Sequence, residues 1–172
     1  AAEVVVAAVL SAISGKGIID ENHPLSCGVC GARGANSFSN GVANDADVIF
    51  FIGSSTDSAG TAGWKVPSKN SAAKIIQLNV SEGELGNNYR ADLSMQGDAK
   101  ETLSAMLSLS AGFKKDFETY KNSLAKRRAV YEESLKEAKE SKSFPIHPIA
   151  LMAAVEEVMP KDSILVVDPG IA

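Results

Sequence analysis

The sequence predicts an α/β fold in which a doubly wound, mostly parallel sheet carries helices on both faces. Two segments support this prediction most strongly, Asp47–Gly53 and Lys74–Val80, because each has apolar residues on both faces of a strand. Such strands belong to the middle of covered parallel sheets, which are built from alternating strands and helices. A shorter strand is predicted at Leu93–Gln96, at a similar spacing along the chain.

Three further elements are predicted in the first 110 residues. Val4–Leu10 is apolar and β-branched enough for a buried strand, although its alanines leave a helix open. Ala35–Asn44 has apolar residues at helical spacing. Asp98 is expected to cap the N-terminus of another helix. The apolar face of that helix consists of Leu103, Met106 and Leu107.

The pattern changes after about residue 112. Apolar residues at steps of three, four or seven predict a long amphipathic helix over residues 113–141. They are Phe113, Phe117, Tyr120, Leu124, Tyr131, Leu135 and Ala138. Phe144–Pro148 is predicted to be a linker, because the residue before a proline is disfavoured in the α region. A helix at Ile149–Met159 and a strand at Ile164–Val167 follow.

Composition excludes several classes of partner. The chain has 172 residues, of which 45% are hydrophobic and 22% charged, with a net charge of −4 and a pI near 5.2. This acidic balance argues against a nucleic-acid-binding or anionic-membrane surface. No apolar run reaches the roughly 20 residues that span a bilayer. The chain lacks an initiator Met and stops just past an apolar strand, which we interpret as a piece cut from a longer protein.

Cys27 and Cys30 form a lone C-x-x-C motif. Only His23 and His147 are available as further histidine or cysteine ligands, so a closed zinc site lacks donors. A redox pair would open a helix after a strand, whereas this motif is predicted to lie in a glycine-rich loop. Structural thiols are therefore favoured over redox or metal use, and a reducing, cytoplasmic location is expected.

The carboxyl ends of the predicted strands mark a candidate ligand crevice, as in other open α/β sheets. Small and hydroxyl residues follow these ends at Gly53–Asp57, Asn79–Glu82 and Gly97–Asp98. With Gly31–Gly34 they would line one slot for an adenine nucleotide. Arg33 would pair with a pyrophosphate, and Asn79 or Ser81 would reach a ribose or base. The dinucleotide and P-loop fingerprints are both missing from the sequence.

Several of these stretches carry a family resemblance through their order and spacing. They are Ser14–Gly17 with His23–Ser26, Gly28–Gly34, Asp45–Gly53, Lys74–Leu78 and Gly97–Ala99. Over about residues 10–107 the chain resembles the central domain of thiamine-diphosphate-dependent enzymes of the acetolactate synthase (acetohydroxyacid synthase) type. The tail from Ile149 is similar to the entry of that family's diphosphate-binding domain, where a strand ends in an Asp-x-Gly turn, here Asp168–Gly170.

The resemblance implies a parent enzyme with pyrimidine-binding, central and diphosphate-binding domains. Residues 1–110 would be the central, Rossmann-like nucleotide-binding domain. The first strand of that domain would be either present or missing from this chain. Residues 111–147 would be a long helix and linker, and residues 148–172 the start of the thiamine-diphosphate domain, with Asp168 and Gly170 at its edge. Thiamine diphosphate and Mg²⁺ would lie between domains of two subunits, which implies a homo-oligomer.

The resemblance also implies a set of cofactor-binding positions in the central domain, which holds FAD in some members, ADP or CoA in others and nothing in many. The matching residues are Gly31, Ala32, Arg33, Gly53, Ser54, Ser55, Asn79, Val80, Gly97 and Asp98. The chain departs from the FAD-binding members at Ser54–Asp57, Asn79 and Arg33. The sequence therefore leaves four alternatives for the slot: FAD, ADP, CoA or no ligand.

The implied activity of the parent is decarboxylation of a 2-keto acid followed by carboligation. The family's catalytic Glu and Gly-Asp-Gly metal motif have no counterpart here, so no catalytic residue and no metal ligand is predicted. Two alternatives stay open: a fragment of a related decarboxylase or lyase that acts on a CoA thioester or aldehyde, and a non-catalytic nucleotide-binding module.

Overall fold

Two parallel sheets form the frame of the first part of the chain. The computed structural model describes residues 2–110, 112 and 118–166, and the chain divides into two units, residues 1–126 and 127–172, each described by itself. The strands are β1 (Val9–Ser11), β2 (Ser26–Val29), β3 (Val48–Ile52), β4 (Lys74–Asn79) and β5 (Leu93–Gln96). The helices of the first unit are α1 (Ala2–Val5), α2 (Ser37–Asn44) and α3 (Ala99–Leu109), with 3₁₀ turns at Ile13–Gly15 and Glu82–Glu84.

Strands β3, β4 and β5 form one sheet, in which both neighbouring pairs run parallel. Val48 pairs with Lys74 at the start of this sheet. Strands β1 and β2 form a second parallel sheet, whose register shifts between Val9 and Ser11. Open parallel sheets flanked by helices confirm the predicted α/β class, and the three strands predicted from Asp47 to Gln96 are all present.

The core of the first unit is formed mainly by β2, α2 and β4, and α2 packs against β2. Its buried apolar residues include Leu25, Cys27, Val29, Phe38, Val42, Ile75, Leu78 and Tyr89. One face of the three-stranded sheet is less covered. The strand register places Val48, Ile52 and Leu93 on that face, and they are 56%, 41% and 51% exposed.

The N-terminal apolar run contains a helix and a strand instead of one element. Helix α1 covers Ala2–Val5, Val6 adopts a positive φ of 48°, and β1 begins only at Val9. The predicted strand at Val4–Leu10 is therefore wrong at its start, where Val4 and Val5 belong to a helical turn, and correct at its end.

The segment around the two cysteines corrects a second prediction. Ser26–Val29 forms strand β2, paired with β1, so Cys27 lies in a strand and not in a glycine-rich loop. Gly28 takes a φ of +78° inside this strand. Glycines on both sides of the strand suggested a loop, although its burial on both faces is typical of a covered parallel strand.

Both predicted helices of the first unit have a capped N-terminus. Asn36 caps α2 through a reciprocal pair of bonds with Ser39 at 2.8 and 3.1 Å. The predicted cap of α3 is confirmed, since the Asp98 carboxylate accepts a bond from the Glu101 N–H at 3.0 Å. The apolar face of α3 is not buried: Met106 and Leu107 are 42% and 40% exposed.

The long helix predicted over residues 113–141 is observed as two helices. α4 (Glu118–Ser134) crosses the division between the two units, and α5 (Lys136–Lys139) follows after a break at Leu135. Leu124 of the apolar stripe is buried, whereas Tyr120 is 39% exposed. Phe113 and Phe117 lie outside the described residues.

The second unit ends with a helix that matches its prediction. α6 (Pro148–Val158) has a proline in its first turn, and the His147 ring accepts a bond from the Ile149 N–H at 3.2 Å as the cap. In this unit α6 contacts α5. Ile164–Val166 belongs to no strand, because the described part of this unit offers no other strand with which it would pair. Val167 and the predicted edge residues Asp168 and Gly170 lie outside the described residues.

Within the residues described, we find no helix that combines the length and the apolar character needed to cross a lipid bilayer.

Candidate functional site

The predicted site residues follow the carboxyl ends of four strands. Gly53–Ser55 follows β3, Asn79 and Val80 end β4, Gly97 and Asp98 follow β5, and Gly31–Arg33 comes after β2. Because the strands of each sheet run parallel, their carboxyl ends lie at the same end of that sheet.

Hydrogen bonds join the residues that follow β3, β4 and β5. The Asn79 amide donates from Nδ2 to the Ser54 carbonyl at 3.2 Å, and the Gly97 N–H donates to the Asn79 carbonyl at 3.0 Å. The Gln96 amide donates to the Val80 carbonyl at 3.3 Å. Asn79 thus connects the ends of three neighbouring strands.

Residues 53–57, named here the strand-exit loop, have three consecutive carbonyls fixed by side-chain donors. The Ser54 carbonyl accepts from Asn79 at 3.2 Å, and the Ser55 carbonyl accepts from the Asn88 Nδ2 at 3.2 Å. The Thr56 carbonyl accepts from the indole Nε1 of Trp64 at 3.1 Å. These three bonds determine the orientation of three successive peptide planes.

The N–H groups of those peptide planes point the other way, because N–H and C=O are antiparallel in a trans peptide. The Thr56 N–H donates to the Ser54 hydroxyl at 3.0 Å. The N–H groups of Ser55 and Asp57, both exposed residues, have no acceptor among the residues that the structure describes. The strand-exit loop therefore presents two unsatisfied donors, a feature of backbone anion sites.

Thr56 is the most constrained residue of the strand-exit loop. It adopts a φ of +50°, a left-handed conformation that a β-branched side chain rarely takes. Its side chain is 1% exposed, and its hydroxyl has no partner in the described structure. Buried hydroxyls without partners are rare in native proteins, so Thr56 Oγ1 is a further group that a ligand or ordered water would satisfy.

The end of β2 is held against the loop that continues from Asp57. The Ala32 N–H donates to the Ala59 carbonyl at 2.9 Å. Gly31 has a φ of +106°, and a Cβ there would lie 2.6 Å from the Gly60 carbonyl oxygen. The Asn40 amide bonds both backbone groups of Gly31, at 2.9 and 3.1 Å. Arg33, the expected pyrophosphate partner, is exposed two residues further on.

Residues 1–106 match the family model of the thiamine pyrophosphate enzyme central domain. The chain belongs to this family. It is 34% identical over 122 residues to a probable acetolactate synthase large subunit of Methanocaldococcus jannaschii, which is 69% of the chain and 20% of that protein. It is 34% identical over 103 residues to an acetolactate synthase of Arthrospira platensis, which is 58% of the chain and 17% of that protein.

A related lyase matches over a longer part of this central-domain chain. The mouse 2-hydroxyacyl-CoA lyase 1 is 28% identical over 156 residues, which is 88% of the chain and 25% of the lyase. The chain spans about a fifth or less of the length of the acetolactate synthases that it matches.

The described residues offer no complete set of groups for binding thiamine diphosphate, the cofactor that the family name implies. Mg²⁺ holds a diphosphate through oxygen ligands such as carboxylates. No cluster of three histidine, cysteine or acidic side chains that would hold a metal ion occurs in residues 2–110 and 118–166. No chemical step through this cofactor is therefore derived from the described residues.

Not every predicted site residue of the central domain is available to a ligand. The Asp98 carboxylate is engaged as the cap of α3. Gly97 lies close to the same helix, since a Cβ there would be 3.1 Å from the Thr102 hydroxyl. Both positions therefore serve the turn from β5 into α3 in the described structure.

The two cysteines of the central domain are not joined by a disulfide. Cys27 is 1% exposed. Burial raises the pKa of the Cys30 thiol above its ordinary value of 9.0, opposed by a backbone hydrogen bond. A raised pKa keeps the thiol neutral at pH 7, whereas reactive cysteines have lowered values.

Sequence reasoning missed Trp64, Asn88 and Asn40, which fix the backbone of the site. Each binds main-chain groups 8 to 33 positions away along the sequence. A single tryptophan, one asparagine in a loop (Asn88) and one within α2 (Asn40) form no repeating pattern in the sequence. The one available signal was their residue type, since each carries a side-chain N–H donor.

Proposed function

We propose that this chain is the central part of a thiamine-diphosphate- and Mg²⁺-dependent enzyme that decarboxylates a 2-keto acid and joins the product to an acceptor. The observation that carries the proposal is the family match over residues 1–106, together with 34% identity to two acetolactate synthases. The chain would supply architecture and a nucleotide site, while flanking domains of a homo-oligomeric, cytoplasmic parent would supply the catalytic groups.

The test of this proposal is the activity of the longer enzyme. The enzyme that contains this chain, purified with thiamine diphosphate and Mg²⁺, should convert pyruvate to acetolactate. Loss of turnover after removal of Mg²⁺ by a chelator, with recovery on adding it back, is expected. Absence of carboligation with pyruvate and with other 2-keto acids would contradict the proposal.

A second candidate is a lyase that cleaves 2-hydroxyacyl-CoA substrates. It is favoured by one observation, the match to the mouse 2-hydroxyacyl-CoA lyase 1 over 88% of the chain. The same purified enzyme should be incubated with a 2-hydroxyacyl-CoA, and aldehyde release measured. Aldehyde release without acetolactate formation would favour the lyase over the synthase.

We further propose that the central domain binds an adenine nucleotide, ADP or FAD, at its strand ends. The N–H groups of Ser55 and Asp57, which have no acceptor among the described residues, and the exposed guanidinium of Arg33 support a phosphate in this position. The remaining predicted contacts would come from Gly31, Ala32, Gly53, Ser54, Asn79 and Val80.

Calorimetric titration of the 172-residue chain with FAD, ADP and CoA tests the nucleotide site. Binding of at least one of them is expected, with Arg33→Gln weakening it by about tenfold because a charge-assisted bond to phosphate is lost. Lys100→Gln is a matched control, since Lys100 is an exposed cation on α3. No binding of any of the three compounds would contradict the proposal.

A further inference from the structure

We propose that Trp64 and Asn88 are positioning residues that hold the strand-exit loop in a phosphate-binding conformation. The inference rests on the proposed nucleotide site and names two residues that act on the ligand through the backbone. The group bound would be the diphosphate of ADP or FAD, taken by the N–H groups of Ser55 and Asp57.

The hydrogen bonds of the strand-exit loop support this role. Trp64 and Asn88 each hold one carbonyl, Thr56 at 3.1 Å and Ser55 at 3.2 Å. Fixing the Thr56 carbonyl turns the Asp57 N–H away from the indole, because the two groups lie in the same peptide plane. Without Trp64 this plane would be free to rotate, and the Asp57 N–H would lose its direction.

The backbone around Trp64 is strained, which suggests a functional constraint. Thr56, Ala62 and Trp64 have φ values of +50°, +49° and +61°. A left-handed conformation is energetically unfavourable for a residue other than glycine, and such residues cluster at ligand sites. The conformation that costs this energy is the one that brings the indole N–H of Trp64 to the Thr56 carbonyl.

The charges near Trp64 are compatible with an anion. The Lys69 ammonium lies 4.6 Å from the centre of the Trp64 ring and 5.7 Å from that of Tyr89. No carboxylate of the described residues pairs with Lys69 within 4.0 Å. The one acidic side chain of the strand-exit loop, Asp57, is engaged by the Gly60 N–H at 2.6 Å.

Trp64→Phe is the sharpest test, because it removes the N–H donor and keeps an aromatic ring beside Lys69. Asn88→Ala removes the second donor, and Asn87→Ala is the control at the exposed neighbouring position. The 172-residue chain and the three variants should be labelled with ¹⁵N and titrated with ADP, adenosine and inorganic diphosphate. Circular dichroism and urea unfolding check that each variant folds.

In the unmodified chain we expect inorganic diphosphate and ADP to shift the amide signals of Ser55 and Asp57 most. Trp64→Phe and Asn88→Ala should each weaken both ligands by about fivefold or more, the effect of losing one well-placed hydrogen bond. Adenosine, which has no phosphate, should bind the variants and the unmodified chain equally, and Asn87→Ala should change nothing.

The possible failures are distinguishable. If ADP binds the unmodified chain and Trp64→Phe and Asn88→Ala bind it equally well, the role of Trp64 and Asn88 is overturned and the nucleotide site stands. An equal loss of adenosine and ADP affinity in the variants would indicate a merely structural role and also overturn it. If neither ADP nor diphosphate binds the unmodified chain, both proposals fail.

Discussion

Gly31 is the residue of the candidate site that tolerates a side chain least. A Cβ there would lie 2.6 Å from the Gly60 oxygen and 2.7 Å from the Ala59 oxygen, both backbone atoms that a side-chain rotation cannot move. Gly31→Ala should lower the free energy of unfolding by about 2 kcal/mol or more, through strain and displacement of the neighbouring loop. Urea unfolding followed by circular dichroism measures the change.

Gly17→Ala separates the two causes of the stability loss in Gly31→Ala, which are the left-handed backbone and the clash with the neighbouring loop. Gly17 has a similar φ of +93°, and nothing lies within 4 Å of a Cβ built there. This variant should lose only about 1–2 kcal/mol, the cost of a left-handed conformation for a residue with a Cβ. Equal losses in Gly17→Ala and Gly31→Ala would mean that the clash with residues 59 and 60 has no role.

Asp92 should make stability depend on pH in the acid range. A hydrogen bond from the Ile75 N–H, and then one from the Lys74 ammonium, lower the pKa of Asp92 below its ordinary value of 3.8. Because the pKa is lower in the folded state, the ionised Asp92 carboxylate stabilises the fold. This stabilisation is fully present above pH 3.8 and is lost as the pH falls through the pKa of Asp92 in the folded chain.

Asp92→Asn tests this dependence. The difference in unfolding free energy between the unmodified chain and the variant should be largest above pH 3.8 and should shrink as the pH falls through the lowered pKa of Asp92. Urea unfolding at a series of pH values measures it. A difference that stays constant over that range would show that Asp92 does not titrate with unfolding.

At the residue scale, sequence reasoning placed the glycines and Asn79 at the strand ends, where the structure also has them, and missed the side-chain donors that fix the neighbouring backbone. Local apolar runs predict where the strands end. Ligands of open α/β sheets bind beyond such ends, which is why these residues were named as the candidate site. The bonds of Trp64 and Asn88 depend on loops that approach each other only in the folded chain. No local rule predicts such contacts, which is why sequence reasoning did not name these two residues.

At the scale of single elements, α2 depends on its N-terminal cap. The Asn36 side chain accepts from the Ser39 N–H at 2.8 Å, and the Ser39 hydroxyl returns a bond to Asn36. Asn36→Ala should cost about 1 kcal/mol of unfolding free energy, because a buried helix start loses its acceptor. Thermal and urea unfolding measure the loss.

Asn36→Asp is the matched control for that prediction, since aspartate caps helices as well as asparagine does. It should leave stability nearly unchanged. If Asn36→Asp is as destabilising as Asn36→Ala, the amide itself and not its capping oxygen is what α2 requires.

Elements with a strong local sequence pattern were predictable. Elements whose structure depends on pairing or packing with distant segments of the chain were not. β3, β4 and the cap of α3 follow from apolar runs and from Asp98. β2 was missed because Gly28 interrupts its pattern, and it is a strand through its pairing with β1. The long helix predicted after residue 112 breaks at Leu135, although Tyr131, Leu135 and Ala138 continue the apolar stripe of the sequence past this point.

At the scale of the whole molecule, the exposed apolar edge strand of the three-stranded sheet should make the isolated chain self-associate. β3 is an edge strand of that sheet, and Val48 and Ile52 on it are 56% and 41% exposed. Exposed apolar edge strands pair with other chains, and a lysine on the edge opposes this. Val48→Lys should therefore shift the chain toward monomer in sedimentation velocity at equal concentration.

Leu109→Lys controls for the change of charge and hydrophobicity. Leu109 is 86% exposed at the end of α3, away from any strand edge, and the substitution adds the same charge. It should leave the association unchanged. A monomer shift of the same size in Leu109→Lys would indicate nonspecific hydrophobic association instead of edge pairing.

The division into two small sheets has a consequence for how ligand affinity should be interpreted. Because the described strands form two separate sheets, β3 has one unpaired edge, and the strand-exit loop follows that strand. A strand that paired with this edge of β3 would shield the strand-exit loop from water and strengthen its electrostatic contacts. A dissociation constant measured on the 172-residue chain is therefore an upper limit for the constant in an assembled enzyme.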